Sequence, residues 1–144
     1  MKSHRLDIII GVALLAGMLS MVATIVYWLV RPYNILEYHI DNYEMQQESY
    51  KVGEPFTYRT AFTKRGDLEA TVIRVLQEGV MYSFPVTTAK TPGGDYDFIS
   101  TSNVTPNVPE GEYRFVTKVI YKPNPLRTIE YTMESESFII IREE

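Results

Sequence analysis

The residues that could do chemistry are few. The chain has two histidines, His4 and His39, and no cysteine. A Ser-His-Asp relay would have to use His39, and no nucleophile setting such as G-x-S-x-G accompanies it. His39 therefore reads as an ordinary strand residue. The two histidines flank a long apolar run, so if that run crosses a bilayer they cannot share a zinc ion. Without cysteine there is also no usual structural zinc site, disulfide framework, thiolate nucleophile or lipobox-type acylation site. The carboxylates pair up in Gly93-Gly94-Asp95-Tyr96-Asp97 and in Glu110-Gly111-Glu112. Hard cations take oxygens gathered from loops, yet this spacing matches no EF-hand, and solvated carboxylates at strand ends are the plainer reading. Glycoside hydrolysis by such pairs needs a cleft that a sandwich of about 110 residues hardly offers. Gly93-Gly94 reads as a turn between strands, because it opens no helix that would cradle a phosphate. Asn103-Val104-Thr105 is a formal glycosylation sequon followed by Pro106, which disfavours its use. No catalytic residue, cofactor or metal ligand is assigned, and the chain is expected to be no enzyme.

What the sequence does specify is the set of elements. It has 144 residues, 45% of them hydrophobic, with a formal net charge of −4. That length allows one domain plus an appended segment. A sequence pI near 5.2 argues against nucleic-acid binding, which needs a basic face to displace counterions from phosphates. Ile8 to Val30 is a run of 23 residues without a charge. As a helix it would span roughly 35 Å, enough for a hydrocarbon core of about 30 Å. Tyr27, Trp28 and Tyr33 are expected as anchors at the headgroup level, and Pro32 ends the helix. A cleaved signal peptide would have a shorter apolar region and a small-residue cleavage site. A pilin leader would have a glycine just before the run and a glutamate within it, where this chain has Leu6-Asp7 and no acid. The expectation is an uncleaved anchor: a cytoplasmic tail over 1–7, a transmembrane helix over 8–30, a junction over 31–34 and a β-domain over 35–144.

Lys2 and Arg5 precede the run and Arg31 follows it, a modest bias that places the N-terminus in the cytoplasm and the C-terminal domain outside. Ala13, Gly17, Ser20 and Thr24 share one helix face, a stripe of small residues that lets another helix approach. No ionisable residue lies in the span, so an ion path through this helix alone is not expected.

From Tyr33 onward the pattern has period 2. Phe56, Tyr58, Thr60 and Phe62 alternate with Thr57, Arg59, Ala61 and Thr63. Further strands are read over 35–41, 70–77, 80–90, 96–102, 113–122 and 129–141, separated by Gly53-Glu54-Pro55, Arg65-Gly66-Asp67, Thr91-Pro92-Gly93-Gly94, Thr105 to Gly111 and Pro123-Asn124-Pro125. About seven short strands with regular turn signals predict an all-β, antiparallel sandwich. Pro109-Glu110-Gly111-Glu112-Tyr113, followed by alternating Phe115, Thr117, Val119 and Tyr121, resembles the tyrosine corner of immunoglobulin-like and fibronectin type III-like sandwiches. The resemblance covers about residues 33–142 and implies an immunoglobulin-like β-sandwich in which Gly111 and Tyr113 define the corner. The Cys…Trp…Cys pattern of antibody domains is absent.

Val116 and Ile120 stand among cations on one face of their strand, and Phe138-Ile139-Ile140-Ile141 is apolar on both sides. A half-solvated sheet alternates more cleanly, so Val116, Ile120, Ile139 and Ile141 are candidates for a protein-contact patch. The acidic ending Glu143-Glu144 would discourage edge pairing. The function these features predict is a membrane-anchored interaction module, an accessory subunit of a membrane or envelope assembly. Its expected partners are the lipid bilayer and other membrane proteins, with a second copy of the chain, paired through the helix, as one candidate. Compact size, the N-in anchor and the lack of cysteine suit a bacterial inner membrane. Two alternatives stand beside it: a carbohydrate- or calcium-binding module using Tyr82, Tyr96, Asp95 and Asp97, and a phage or stress factor of the envelope that acts through its helix.

Overall fold

The computed structural model describes residues 2–104 and 107–142, with side chains described from Arg5 onward. Lys2, His4, Thr105, Pro106, Glu143 and Glu144, named above for the charge bias, the histidine count, the sequon and the acidic ending, therefore fall wholly or in their side chains outside the described residues. The chain divides into two compact units, Met1–Tyr33 with Asn124–Arg127, and Asn34–Pro123 with Thr128–Glu144.

The first unit is built on helix α1, Lys2–Val30. Its run of Leu, Ile, Val, Ala and Met holds the helical period without a proline until Pro32. The stretch Arg5–Val30 is long and apolar enough to cross a membrane, and none of it is buried. The helix begins six residues before the uncharged run does, since nothing between Lys2 and Asp7 breaks it. Four carbonyls are left without partners at any helix C-terminus. Here Arg31 N–H donates to Tyr27 O at 3.0 Å, Asn124 Nδ2 to Trp28 O at 3.2 Å and Arg127 Nη1 to Leu29 O at 3.2 Å. A guanidinium at that end also meets the negative pole of the helix dipole.

The second unit is a two-sheet β-structure. The chain forms eleven strands: β1 (Leu36–Tyr38), β2 (Glu44–Met45), β3 (Ser49–Lys51), β4 (Pro55–Lys64), β5 (Ala70–Gln77), β6 (Met81–Ser83), β7 (Thr87–Ala89), β8 (Gly94–Asn103), β9 (Gly111–Asn124), β10 (Arg127–Glu134) and β11 (Phe138–Ile141). In the first sheet β4 is central, with β1 and β2 along one edge and β8 along the other. In the second the order is β3-β11-β9-β5-β6, with β10 also on β9 and β7 also on β5.

The seven stretches read from the sequence resolve into more pieces for local reasons. The stretch 80–90 is cut at Pro85, which has no N–H to donate, into β6 and β7. The stretch 129–141 is cut at 135–137, where Ser135 Oγ accepts from Phe115 N–H at 2.9 Å and donates to Glu136 O at 2.7 Å. Strands β2 and β3 carried no period long enough to be read. Strand β3 runs parallel to β11, with Tyr50 opposite Ile140, and an isolated parallel bridge joins Tyr43 to Ser135.

Alternation sets the core. Phe56, Tyr58, Phe115, Phe138, Ile140, Leu76 and Tyr113 turn inward and are buried. Their rings meet at centroid distances from 4.7 Å for Tyr58 and Phe115 to 6.0 Å for Phe56 and Tyr58. Such contacts add about 0.5–1.5 kcal/mol each beyond the area they bury.

Candidate functional site

Tyr113 is fully buried, and its hydroxyl donates to Pro109 O, four residues upstream, at 3.0 Å. Burial first, and the charge of Glu78 second, push this phenol up to about 12. Gly111, in the same corner, faces the Glu78 carboxylate, whose oxygen would lie 2.7 Å from an added Cβ.

The polar residues of the first sheet's outer face satisfy one another. Arg59 holds Asp97 through two bonds of 2.7 and 2.8 Å and Glu44 through a third of 3.0 Å. Its hydrogen bonds hold the Asp97 carboxyl below the usual range. His39 Nε2 meets Thr63 Oγ1 at 2.6 Å, and Thr63 Oγ1 donates to Asp95 at 2.6 Å. The carboxylate thus engages the hydroxyl and leaves the imidazole alone, the reverse of the order a relay requires, and all three side chains lie on an open face. Among the described residues no group of three or more His, Asp or Glu could hold a metal ion. Tyr96 stacks on Phe62 at 5.2 Å and donates to Pro92 O, whereas Tyr82 packs against Tyr113 at 6.0 Å. The four residues read as a carbohydrate or calcium surface are thus not brought together.

On the outer face of the second sheet, Val116 lies opposite Val75 and Ile120 opposite Thr71, and both are half-buried by these neighbours. Ile139 and Ile141 lie on the same face, 50% and 42% exposed. Ile139 pairs with Glu112, four residues along β9 from Val116, about 13 Å at the strand rise. The proposed patch is therefore two separate clusters. Sequence reasoning did not single out Val80, Met81, Val86 and Ile99, exposed aliphatics on or beside the edge strands β6, β7 and β8.

In the first unit, Ala13, Gly17, Ser20 and Thr24 are uncovered, with Thr24 Oγ1 donating to Ser20 O at 2.9 Å. Tyr27 is exposed, while Trp28 and Tyr33 are half-buried. The Arg31 guanidinium lies 5.5 Å from the Tyr27 ring and 5.7 Å from that of Tyr33, and Arg127 lies 5.3 Å from Tyr33. Cations over aromatic faces are favourable by about 0.5–1 kcal/mol where exposed.

The least expected site is internal. Between the sheets lies a cavity of about 160 Å³. Tyr38, Tyr58, Phe62, Val72, Val119 and Tyr121 supply much of its wall, and Lys64, Thr60 and Thr117 its buried polar groups. Lys64 is only 3% exposed. Its ammonium donates to Thr91 O, sits 5.9 Å from the Tyr121 ring centroid and has no carboxylate within ion-pair distance among the described residues. Burial lowers its pKa, against a smaller opposing influence of Asp67. The loop carrying Thr91 is held by its neighbours. Asp67 accepts from Gly93 N–H at 3.0 Å, and Gly93 comes so close that an added Cβ would stand 3.0 Å from Gly66 N. At the other end Thr117 Oγ1 is buried with no hydrogen-bond partner of good geometry, though it lies near enough to Tyr43 to oppose slightly the burial that raises that phenol. Phe98, 43% exposed, is the most exposed lining residue. With half-buried Ala89 and Thr91 it marks a mouth between β7 and β8. Lys64 continues the buried phase of Phe56, Tyr58, Thr60 and Phe62, which is the signal by which the sequence could have shown it.

No family model matches this chain, and no curated protein matches it. Among solved structures it is similar to the sporulation control protein Spo0M of Bacillus subtilis, at 10% identity and a TM-score of 0.42, over 75% of this chain and 50% of that one. It is also similar to the CARDB domain of a Pyrococcus furiosus protein, solved in complex with di-metal ions, at 14% identity and a TM-score of 0.45, over 78% of this chain and all of that one. The chain thus spans half the length of the first of these. Both are low-identity likenesses of chain path, and neither lends this chain an activity or a ligand.

Proposed function

We propose that this chain is a membrane-anchored, non-catalytic binding module, an accessory subunit of a membrane or envelope protein assembly. The observation that carries the reading is the bare helix: Arg5–Val30 is long and apolar enough to cross a membrane, uncharged from Ile8 onward, and none of it is buried among the described residues. Leaving so many Leu, Ile and Val side chains in water would cost about 1.5–3 kcal/mol for each, so lipid or another helix must take them up. The helix spans the bilayer with its N-terminus on the cytoplasmic side and Tyr27, Trp28 and Tyr33 at the far headgroup level. Ala13, Gly17, Ser20 and Thr24 receive a partner helix, and Ile139 and Ile141 contact a protein outside the membrane. A binding role is supported by the way the polar groups of the first sheet's outer face satisfy one another, Arg59 holding Asp97 and Glu44, and Thr63 donating to Asp95.

The test is affinity purification of the full-length chain in mild detergent, beside Gly17→Leu/Ser20→Leu and Ile139→Glu/Ile141→Glu variants. The expected result is a stoichiometric set of membrane proteins that the first variant loses and the second retains at lower yield. Recovery of the wild-type chain alone and monomeric would remove the subunit reading.

A further inference from the structure

We propose that the cavity between the sheets binds a small, compact apolar acid, its carboxylate on Lys64 and its hydrocarbon body among Tyr38, Phe62, Val72, Val119 and Tyr121. Three features of the cavity point to such a ligand. Its volume, about 160 Å³, is close to the roughly 150 Å³ that holds a benzene ring in an apolar protein cavity. Its wall is mainly aromatic and aliphatic, so it favours a molecule with little polar surface. Its interior holds an ammonium 3% exposed that donates to a single backbone carbonyl, Thr91 O. An ammonium has three donors, and buried charges are ordinarily paired, so a carboxylate entering past Phe98 meets unused donors in a dry setting where a charge-assisted bond is strong. Thr117, whose hydroxyl is buried and makes no hydrogen bond of good geometry despite the nearby Tyr43, is a second polar group that a ligand could engage. Lys64 is the deeper of the wall's two cations, 3% exposed, whereas Arg74 is half-buried and donates to Thr87 Oγ1 at 3.1 Å.

The probe is 4-fluorobenzoate, followed by fluorine NMR with the full-length chain in zwitterionic lipid nanodiscs and empty nanodiscs as the control. Saturable binding at one equivalent is expected. Lys64→Met keeps the length and most of the volume of the side chain and should weaken binding at least tenfold. Ala89→Phe, which obstructs the mouth and leaves Lys64 in place, should weaken it comparably. 4-Fluorotoluene, nearly the same shape without the charge, should bind the wild-type chain at least tenfold more weakly than the acid. Near-ultraviolet circular dichroism of the tyrosines shows whether each variant retains its packed core. The proposal is overturned if the wild-type chain shows no saturable binding, if a folded Lys64→Met binds the acid as tightly as the wild type, or if toluene and benzoate bind alike.

Discussion

The space between the two sheets is filled in two different ways. Toward one end, Phe56, Tyr58, Phe84, Phe115 and Phe138 interlock ring against ring, each no more than 6.2 Å from a neighbouring ring centroid. Toward the other, the same strands present Thr60 and Lys64 from β4, Ala70 and Val72 from β5, and Thr117 and Val119 from β9, and a cavity opens among them. Strand geometry is continuous through both ends, so the backbone is not the cause. Rings on facing strands are large enough to meet across the roughly 10 Å between packed sheets, whereas threonine, alanine and valine are not. The lysine that reaches into the gap brings a charge with it. One end holds the sandwich together, and the other is free to do something else.

The largest way to break this contrast is to truncate a ring. Phe115→Ala should destabilise the β-structure by about 3–5 kcal/mol, the cost of a large cavity in a packed core, as measured by denaturant unfolding followed through the tyrosine near-ultraviolet signal. Alkaline pH attacks both ends together. Burial raises Tyr113 at the ring end and Tyr38, Tyr43 and Tyr121 at the cavity end above the usual phenol value. Below pH 10 these phenols are protonated in the folded and the unfolded chain, and their contribution is fully present. As pH rises from 10 toward 12 the unfolded chain gives up its phenolic protons first, so stability falls with pH. Thermal melts at pH 9, 10 and 11 should show a steep loss of Tm above pH 10, smaller in Tyr113→Phe.

A third variant sharpens the contrast by changing sign. Thr117→Val removes a buried hydroxyl that makes no hydrogen bond of good geometry and should raise stability by about 1 kcal/mol, where a polar-to-apolar exchange at a satisfied site would lower it. A loss of stability in that variant would mean that the hydroxyl is satisfied from within the fold. The smallest effect belongs to the outer face. Arg59→Ala opens the ion pairs to Asp97 and Glu44, and because all three side chains are substantially exposed the loss of stability should be the smallest of the set and should shrink in salt when unfolding is repeated at high ionic strength.

Much of the fold could be read directly. The inward phase of Phe56, Tyr58, Phe115 and Tyr121 follows from period 2, and the corner at Tyr113 from its spacing to Pro109 and Gly111. The candidate patch fared less well. Val116 and Ile120 face outward as their phase requires, yet Val75 and Thr71 across the strand half-cover them, and Ile139 pairs with a distant part of β9. Cross-strand neighbours are set by pairing register, which no local pattern of one strand contains. The Asp95 and Asp97 pair looked free for a cation because Arg59 and Thr63, more than thirty residues away, are invisible to a local reading.

By itself, then, the sequence determined the elements: a charge-free run that must be a helix wherever it lies, alternating stretches that must be strands, and prolines that cut them. Those outcomes rest on periodicity and on the hydrogen bonds a proline cannot make, both local. The tertiary structure alone decided which faces meet. It carried Lys64 into the interior because its neighbours in phase are core residues and its strand is central to its sheet. It left a cavity beside Lys64 because Thr60, Ala70, Val72, Thr117 and Val119 are too small to fill the space between the aromatic rings of its wall. Volume between sheets is a property of pairs of strands far apart in the chain, and only packing reveals it.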